Sequence, residues 1–225
     1  MNTLDSIKDQ AMACTACQLA NHRTNVVFGV GNPNAELMFV GEGPGREEDI
    51  AGEPFVGRSG KLLDQLMQQE LGIDRSQCYI GNVVKCRPPN NRDPLEEEII
   101  ACRPFLEGQI REIDPLVIIT LGNFATRLLL GTTDGIKKAR GRSYARVKSD
   151  ISKIGRKFTS RTNIPVHSKE DNSQATETAN EEDGIYYLVP TYHPAAALRG
   201  GATVVAEMRA DFSRAKLLLK KTFHQ

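Results

Sequence analysis

Four of the five cysteines have the spacing of a metal site. Cys14-x2-Cys17 is a chelating pair, because two intervening residues let both thiolates reach one metal. Cys86 follows a predicted strand, and Cys102 lies sixteen residues later on the apolar stripe of a predicted helix. Four thiolates could therefore meet in one buried place, a soft ligand set suited to zinc or to an iron–sulfur cluster. The spacing is neither that of a zinc ribbon nor that of a bacterial ferredoxin run. The alternative is that Cys86 and Cys102 are ordinary buried residues. Cys78, inside a predicted strand, reads as a core residue.

A second set of residues could bind and transform a small planar ligand. Gly41-Glu42-Gly43-Pro44-Gly45 contains G-x-G but is not a dinucleotide fingerprint. Pro44 removes a backbone donor, and the Glu47-Glu48-Asp49 run that follows repels phosphate. It also lacks the Gly-Lys-Ser/Thr ending of a Walker loop. A carboxylate framed by glycines lets backbone approach a ligand closely, so Glu42 could orient a water or a substrate. The alternative is a tight turn with a solvated Glu. Phe55 is either a stacking platform or a loop anchor in the core. Asn82 could hydrogen-bond a base edge or cap the following loop. His193 could donate to a developing anion or serve structure alone.

These residues fall on a recognisable framework. The apolar run 37–40 and the segment 116–121 read as strands buried on both faces. Segments 26–30, 78–84 and 185–190 complete the set of strands. Helices are predicted from Leu4 to Ala13 and from a Ser59 cap through Leu71. Others are opened by Pro94, run through Ala125 to Leu130, and carry the stripe Val204, Met208, Phe212 and Ala215. Alternating strands and helices predict a three-layer α/β fold with a mainly parallel sheet. Ligands of such sheets bind outside the carboxyl ends of the strands, where Gly41, Asn82, Gly122 and His193 all fall.

Composition sets the outer bounds. The 225 residues carry 29 Lys+Arg against 28 Asp+Glu, so a net charge of +1 gives no global attraction for nucleic acid. No run of 18 apolar residues occurs, so no membrane-spanning helix is expected. The N-terminus reads as neither a secretory signal nor a basic leader, which predicts a reducing, cytoplasmic setting. From Lys137 to Arg161 there are ten basic residues and one acidic, and the stretch from Glu170 to Asp183 is acidic without a basic residue. The expectation is a single domain over 1–225, with a polar, partly disordered insertion at about 140–184. Deleting 145–182 is expected to leave activity intact.

The motifs together resemble one family. Cys14-x2-Cys17, Gly-Glu-Gly-Pro-Gly with Glu48-Asp49, Pro54-Phe55-Val56-Gly57-Arg58-Ser59-Gly60, Gly81-Asn82-Val83-Val84-Lys85-Cys86-Arg87-Pro88-Pro89, Cys102-Arg103-Pro104 and Tyr192-His193-Pro194 stand in its order. The chain resembles a family 4 uracil-DNA glycosylase, the iron–sulfur type. That implies a uracil-DNA glycosylase-like fold with a central four-stranded parallel sheet flanked by helices. It implies a [4Fe–4S] cluster on Cys14, Cys17, Cys86 and Cys102, and monofunctional cleavage of the bond between uracil and deoxyribose by a monomer. A related, covalently trapping branch carries a reactive histidine after the second motif region; Arg87 to Pro94 contains none.

Under this resemblance, uracil is flipped out of the duplex into a pocket lined by Gly41, Glu42 and Gly43. Phe55 stacks on it, Asn82 pairs with its O4 and N3 edge, and His193 stabilises charge on O2. Glu42 positions the attacking water. Leu198 is the candidate wedge in the minor groove, or else a helix residue turned to the core. Arg58, Lys85, Arg87 and Arg199 are candidate phosphate contacts. The competing reading is a non-catalytic iron–sulfur protein on the same fold that binds nucleic acid or acts as a sensor.

Overall fold

The computed structural model describes residues 3–153 and 184–221. Six strands form one sheet in the order β1-β3-β2-β4-β6-β5. The strands are β1 (Val30–Gly31), β2 (Leu37–Gly41), β3 (Tyr79–Asn82), β4 (Val117–Leu121), β5 (Tyr144–Val147) and β6 (Ile185–Thr191). The inner four, β3-β2-β4-β6, are parallel, with Phe39 opposite both Ile80 and Ile119, and Ile119 opposite Val189. This is the expected four-stranded core. The two edges, β1 on β3 and β5 on β6, are antiparallel additions.

The helices are α1 (Thr3–Met12), α2 (Arg46–Ala51), α3 (Arg58–Leu66), α4 (Glu96–Ile113), α5 (Asn123–Leu130), α6 (Ile136–Ala139) and α7 (Pro194–Lys221). Strand side chains alternate between two cores. Met38, Val40, Ile118 and Leu188 pack with α1, α4 and α5. Leu37, Phe39, Val117, Ile119 and Val189 pack with α3 and α7, where the Phe39 and Phe212 ring centroids lie 5.7 Å apart. Burial on both sides explains why these strands read as unbroken apolar runs. Each buried Leu, Ile or Phe contributes about 1.5–3 kcal/mol.

Several local expectations are corrected. The first predicted strand shrinks to Val30–Gly31: Val26–Phe28 are buried, but Val27 N–H donates to the Lys85 carbonyl outside any ladder (2.8 Å). An apolar run reports burial, not pairing. Gly57, not Ser59, caps α3, and α3 gives way at Met67–Leu71 to a π-turn closed by left-handed Gly72. Pro94 lies outside α4; Leu95 is its cap, with its N–H held by the Glu98 carboxylate at 2.8 Å. The last helix breaks at Gly201 (φ 71°), which sets residues 194–200 apart from the long core-facing part.

The expected insertion begins in ordered structure. Tyr144–Val147 is the β5 edge strand, and Lys148–Lys153 forms a 3₁₀ turn. Residues 154–183, where the rest of that expectation falls, lie outside the described residues. Among the described residues no helix is long and apolar enough to cross a membrane.

Candidate active site and metal centre

The parallel register places the ends of neighbouring strands side by side. Gly41 ends β2 opposite Asn82 at the end of β3. A Cβ at Gly41 would lie 2.4 Å from Asn82 Oδ1 and 2.6 Å from Phe55 Cζ, so these three residues converge on one point. The Phe55 ring lies 5.5 Å from the His193 ring, at 31°. His193 follows β6 and packs against Gly122 at the end of β4, 3.1 Å from where a Cβ there would be. The four expected base-pocket positions, Gly41, Phe55, Asn82 and His193, are thus brought together.

Asn82 is 2% exposed, yet its Oδ1 accepts no hydrogen bond among the described residues. An unsatisfied buried acceptor costs about 1–3 kcal/mol, a cost that a ligand donor would remove. The Asn82 backbone carbonyl is held at 2.7 Å by the Lys85 ammonium.

Glu42 continues the β2–β3 pairing beyond the sheet. Val83 N–H donates to Gly41 O (2.9 Å) and Val84 N–H to Glu42 O (3.1 Å), which fixes the backbone of the glycine loop as far as Glu42. The Glu42 side chain is half-buried, not fully solvated. Burial first, and then the negative charge of Asp93, push its carboxyl up to about 7. A carboxylate near neutrality is suited to general-base work.

His193 is arranged as a neutral donor. Its Nδ1 accepts the Ala195 N–H at 3.2 Å, which leaves the ring proton on Nε2. Burial, and secondarily the positive Arg199, push its pKa down to about 4, against an opposing pull from Glu48. Next to it, the Arg140 guanidinium covers the Tyr192 ring at 5.4 Å. Arg140 in turn bonds Asp211, fully buried on α7, at 2.9 Å. This ties the strand end that carries His193 to the last helix.

Phe55 is buried and has φ 55°, a left-handed backbone that costs a bulky residue on the order of 1–3 kcal/mol. Its loop is stapled to the glycine loop by Glu48. One Glu48 oxygen accepts the Gly45 N–H (3.1 Å); the other accepts Val56 N–H (3.2 Å) and Gly57 N–H (3.4 Å). The sequence marks Glu48 as a charge unfavourable to phosphate and as part of the family motif, but does not reveal this role. The signal was present as a capping-box spacing, Gly45-x-x-Glu48, weakened by glycine at the cap. Asp49 is buried and holds the backbone N–H groups of Thr24 (2.9 Å) and Asn25 (3.2 Å), also unread from sequence.

On the other core, Cys14, Cys17, Cys86 and Cys102 line one small pocket, partly open to solvent. Arg23 reaches Cys86 Sγ (3.3 Å) and the Cys14 carbonyl (2.8 Å), and Lys85 N–H donates to Cys102 Sγ (3.2 Å). Among the described residues no group of three or more His, Cys, Asp or Glu side chains is placed to hold a metal ion. The four cysteines line that pocket together, a soft donor set that would suit an iron–sulfur cluster. Cys78 stands apart, against Met67 Sδ at 3.6 Å, in the core as expected.

Lys85 corrects the expectation of a phosphate contact. It is 1% exposed, with Nζ bonded to Asn82 O and to Gln109 Oε1 (2.5 Å). Gln109 in turn donates to Phe28 O (2.8 Å) and Tyr79 OH (3.0 Å). No carboxylate pairs with Lys85 among the described residues. A buried ammonium beside four cysteines fits an anionic group held by thiolates.

The remaining expected DNA contacts lie towards solvent to differing degrees. Leu198 is 50% exposed on the 194–200 segment, which overturns its reading as a core residue. Arg199 and Arg58 are exposed. Arg87 is half-buried and bonds Asn91 Oδ1 at 2.7 Å.

A profile of the Uracil DNA glycosylase superfamily matches residues 28–215. The chain is 50% identical over 202 residues to a type-4 uracil-DNA glycosylase of Saccharolobus solfataricus, covering 88% of this chain and 78% of the relative. It is 43% identical over 198 residues to that of Sulfurisphaera tokodaii, covering 88% and 77%. It is 39% identical over 220 residues to that of Thermotoga maritima, covering 97% and 95%. With Gly41, Phe55, Asn82 and His193 gathered at the ends of its parallel strands and four cysteines lining one pocket, the chain belongs to the type-4 uracil-DNA glycosylases of the uracil-DNA glycosylase superfamily.

Proposed function

We propose that this chain is a monofunctional uracil-DNA glycosylase, hydrolysing the bond between uracil and deoxyribose in DNA to leave an abasic site for base excision repair. The observation that carries this reading is the buried Asn82 amide oxygen, without a hydrogen-bond donor among the described residues, beside Phe55, with a neutral His193 against the same ring. The family membership supports it.

A uracil in a duplex is out of reach and must be flipped out, at a cost of about a few kcal/mol. Leu198 fills the gap that the base leaves, and Arg58 and Arg199 bind phosphates. The flipped ring stacks on Phe55. Asn82 accepts from N3–H and donates to O4, a pattern that cytosine reverses. As the glycosidic bond lengthens, negative charge grows on O2 and positive charge on the sugar. His193 Nε2–H donates to O2 without first having to lose a proton. Glu42, ionised above about pH 7, takes a proton from the attacking water and favours the cationic sugar. Lys85, the lysine nearest Asn82 in sequence, forms no Schiff base, because its ammonium is bonded away to Asn82 O and Gln109 Oε1.

Cys14, Cys17, Cys86 and Cys102 would hold a [4Fe–4S] cluster, which supplies a structural cross-link between the segment after α1, the β3–α4 loop and α4. Arg23 and Lys85 would offset its negative charge. Five unpaired cysteines suit a reducing cytoplasm. We read the chain as one domain acting as a monomer.

The test is base release from a labelled oligonucleotide with a single uracil. Wild-type protein is expected to leave an alkali-labile abasic site. Glu42→Ala and His193→Ala are expected to lose about 10²–10⁴-fold in single-turnover rate. A folded protein that binds this DNA but releases no base would overturn the reading.

A further inference from the structure

We propose that Arg75 is a positioning residue for base recognition: it holds Phe55 in the left-handed backbone conformation that turns its ring to the pocket. This rests on the reading of Phe55 as the surface on which uracil stacks.

Four non-glycine residues have positive φ among the described residues: Phe55, Asn90, Asn91 and Asp114. Asn and Asp tolerate this region because their short polar side chains bond locally. A phenylalanine there is an outlier and persists only where its surroundings hold it.

Arg75 supplies the hold. It lies just before β3, twenty residues from Phe55, and its guanidinium makes three bonds at once. Nη1 donates to Pro54 O at 3.0 Å, Nη2 donates to Phe55 O, and Nε donates to Asp64 Oδ1 at 2.6 Å. Two successive loop carbonyls are thereby joined to a carboxylate on α3. A planar fork with fixed donors can do this; a lysine ammonium has no such geometry.

Gly60 on α3 closes the clamp from the opposite side. A Cβ there would fall 1.6 Å from the Phe55 carbonyl oxygen. The carbonyl that Arg75 binds is therefore also the one packed on the α3 backbone. The Phe55 carbonyl is thus held on Arg75 and packed on α3, while its ring lies against Gly41 and His193. Arg75 is 27% exposed, and these guanidinium bonds all go to the Phe55 loop and α3, so it acts on the pocket through Phe55.

The experiment is a double-mutant cycle on kcat/KM for uracil release, with Phe55→Ala as the second background and thermal melting as the check of folding. Phe55→Ala should lose about ten- to a hundredfold, the worth of one base stack. Arg75→Met should lose about tenfold in the wild-type background and less than about twofold in Phe55→Ala. Free uracil should also inhibit Arg75→Met more weakly than wild type. Should Arg75→Met not fold, Arg75→Lys is read in the same cycle. Full activity of the Arg75 variant, or the same loss in both backgrounds, would overturn the proposal, the second outcome marking a merely structural residue. Unchanged release by Phe55→Ala would instead overturn the stacking reading itself.

Discussion

Two sites of this molecule, the Asn82 pocket proposed for the base and the cysteine-lined one, are joined by three residues of chain and built on opposite rules. Asn82 ends a central strand and faces the first pocket; Cys86, after the intervening Val83-Val84-Lys85, lines the second. The first pocket leaves polar capacity unspent: a buried amide oxygen without a donor, a carboxyl raised to about 7, and a phenylalanine in a left-handed backbone. Such features destabilise the fold and are retained where chemistry needs them. The second pocket gathers four thiols with cationic and backbone donors already turned to them. It has the form of a clamp, not of a reaction site. Lys85 belongs to both, with its N–H on Cys102 and its ammonium under Asn82.

This contrast predicts opposite responses to substitution. Cys102→Ser should have the largest effect on the fold, lowering Tm by on the order of 10 °C and bleaching the visible absorbance of the proposed iron–sulfur cluster, with activity falling as the folded fraction falls. A Cys102→Ser protein that keeps its Tm but loses release at full folding would invert the roles assigned to the two pockets.

The pH dependence sharpens the comparison through Glu42. Its folded pKa is raised from 4.5 to about 7, so the ionised base is depleted below pH 7. The rate should fall about tenfold per unit as pH drops below 7 and level off above it. The same shift acts on stability with the opposite sense. A raised carboxyl favours the fold below the unfolded pKa, and that advantage is lost as pH rises through about 7. Glu42→Gln should therefore melt higher than wild type at pH 8 and no higher at pH 4. His193, lowered to about 4, stays neutral through this range, so it adds no limb of its own near neutrality.

Residues that face a pocket from a loop marked by Gly or Pro were readable from the sequence. Glu42, Asn82 and His193 stand at strand ends that the apolar runs locate, Phe55 stands in a loop marked by Gly52, Pro54 and Gly57, and the structure brings Gly41, Phe55, Asn82 and His193 together. Residues that act through distant backbone were not readable. Arg75 works on carbonyls twenty residues away, and Gln109 on the Phe28 carbonyl 81 residues away. No local pattern encodes such pairs. Lys85 was misplaced because a lysine letter reads as surface, whereas its burial depends on partners that only the fold supplies. The β5 edge was hidden inside a charged stretch, since an edge strand needs no apolar alternation when all four residues are half-buried. For that reason the deletion of 145–182 is no longer expected to be neutral, because it removes Ala145–Val147 from the pairing with β6.

The central claim is that the Asn82 amide oxygen, without a donor among the described residues, is kept free to read uracil. The direct measurement is single-turnover uracil release by Asn82→Ala beside its melting temperature, in protein with matched iron content. The account predicts a loss of about 10²–10³-fold with Tm within about 2 °C of wild type, because a buried acceptor without a partner does not support the fold. Release within about threefold of wild type, or a loss of activity that only follows a lowered Tm, would contradict it.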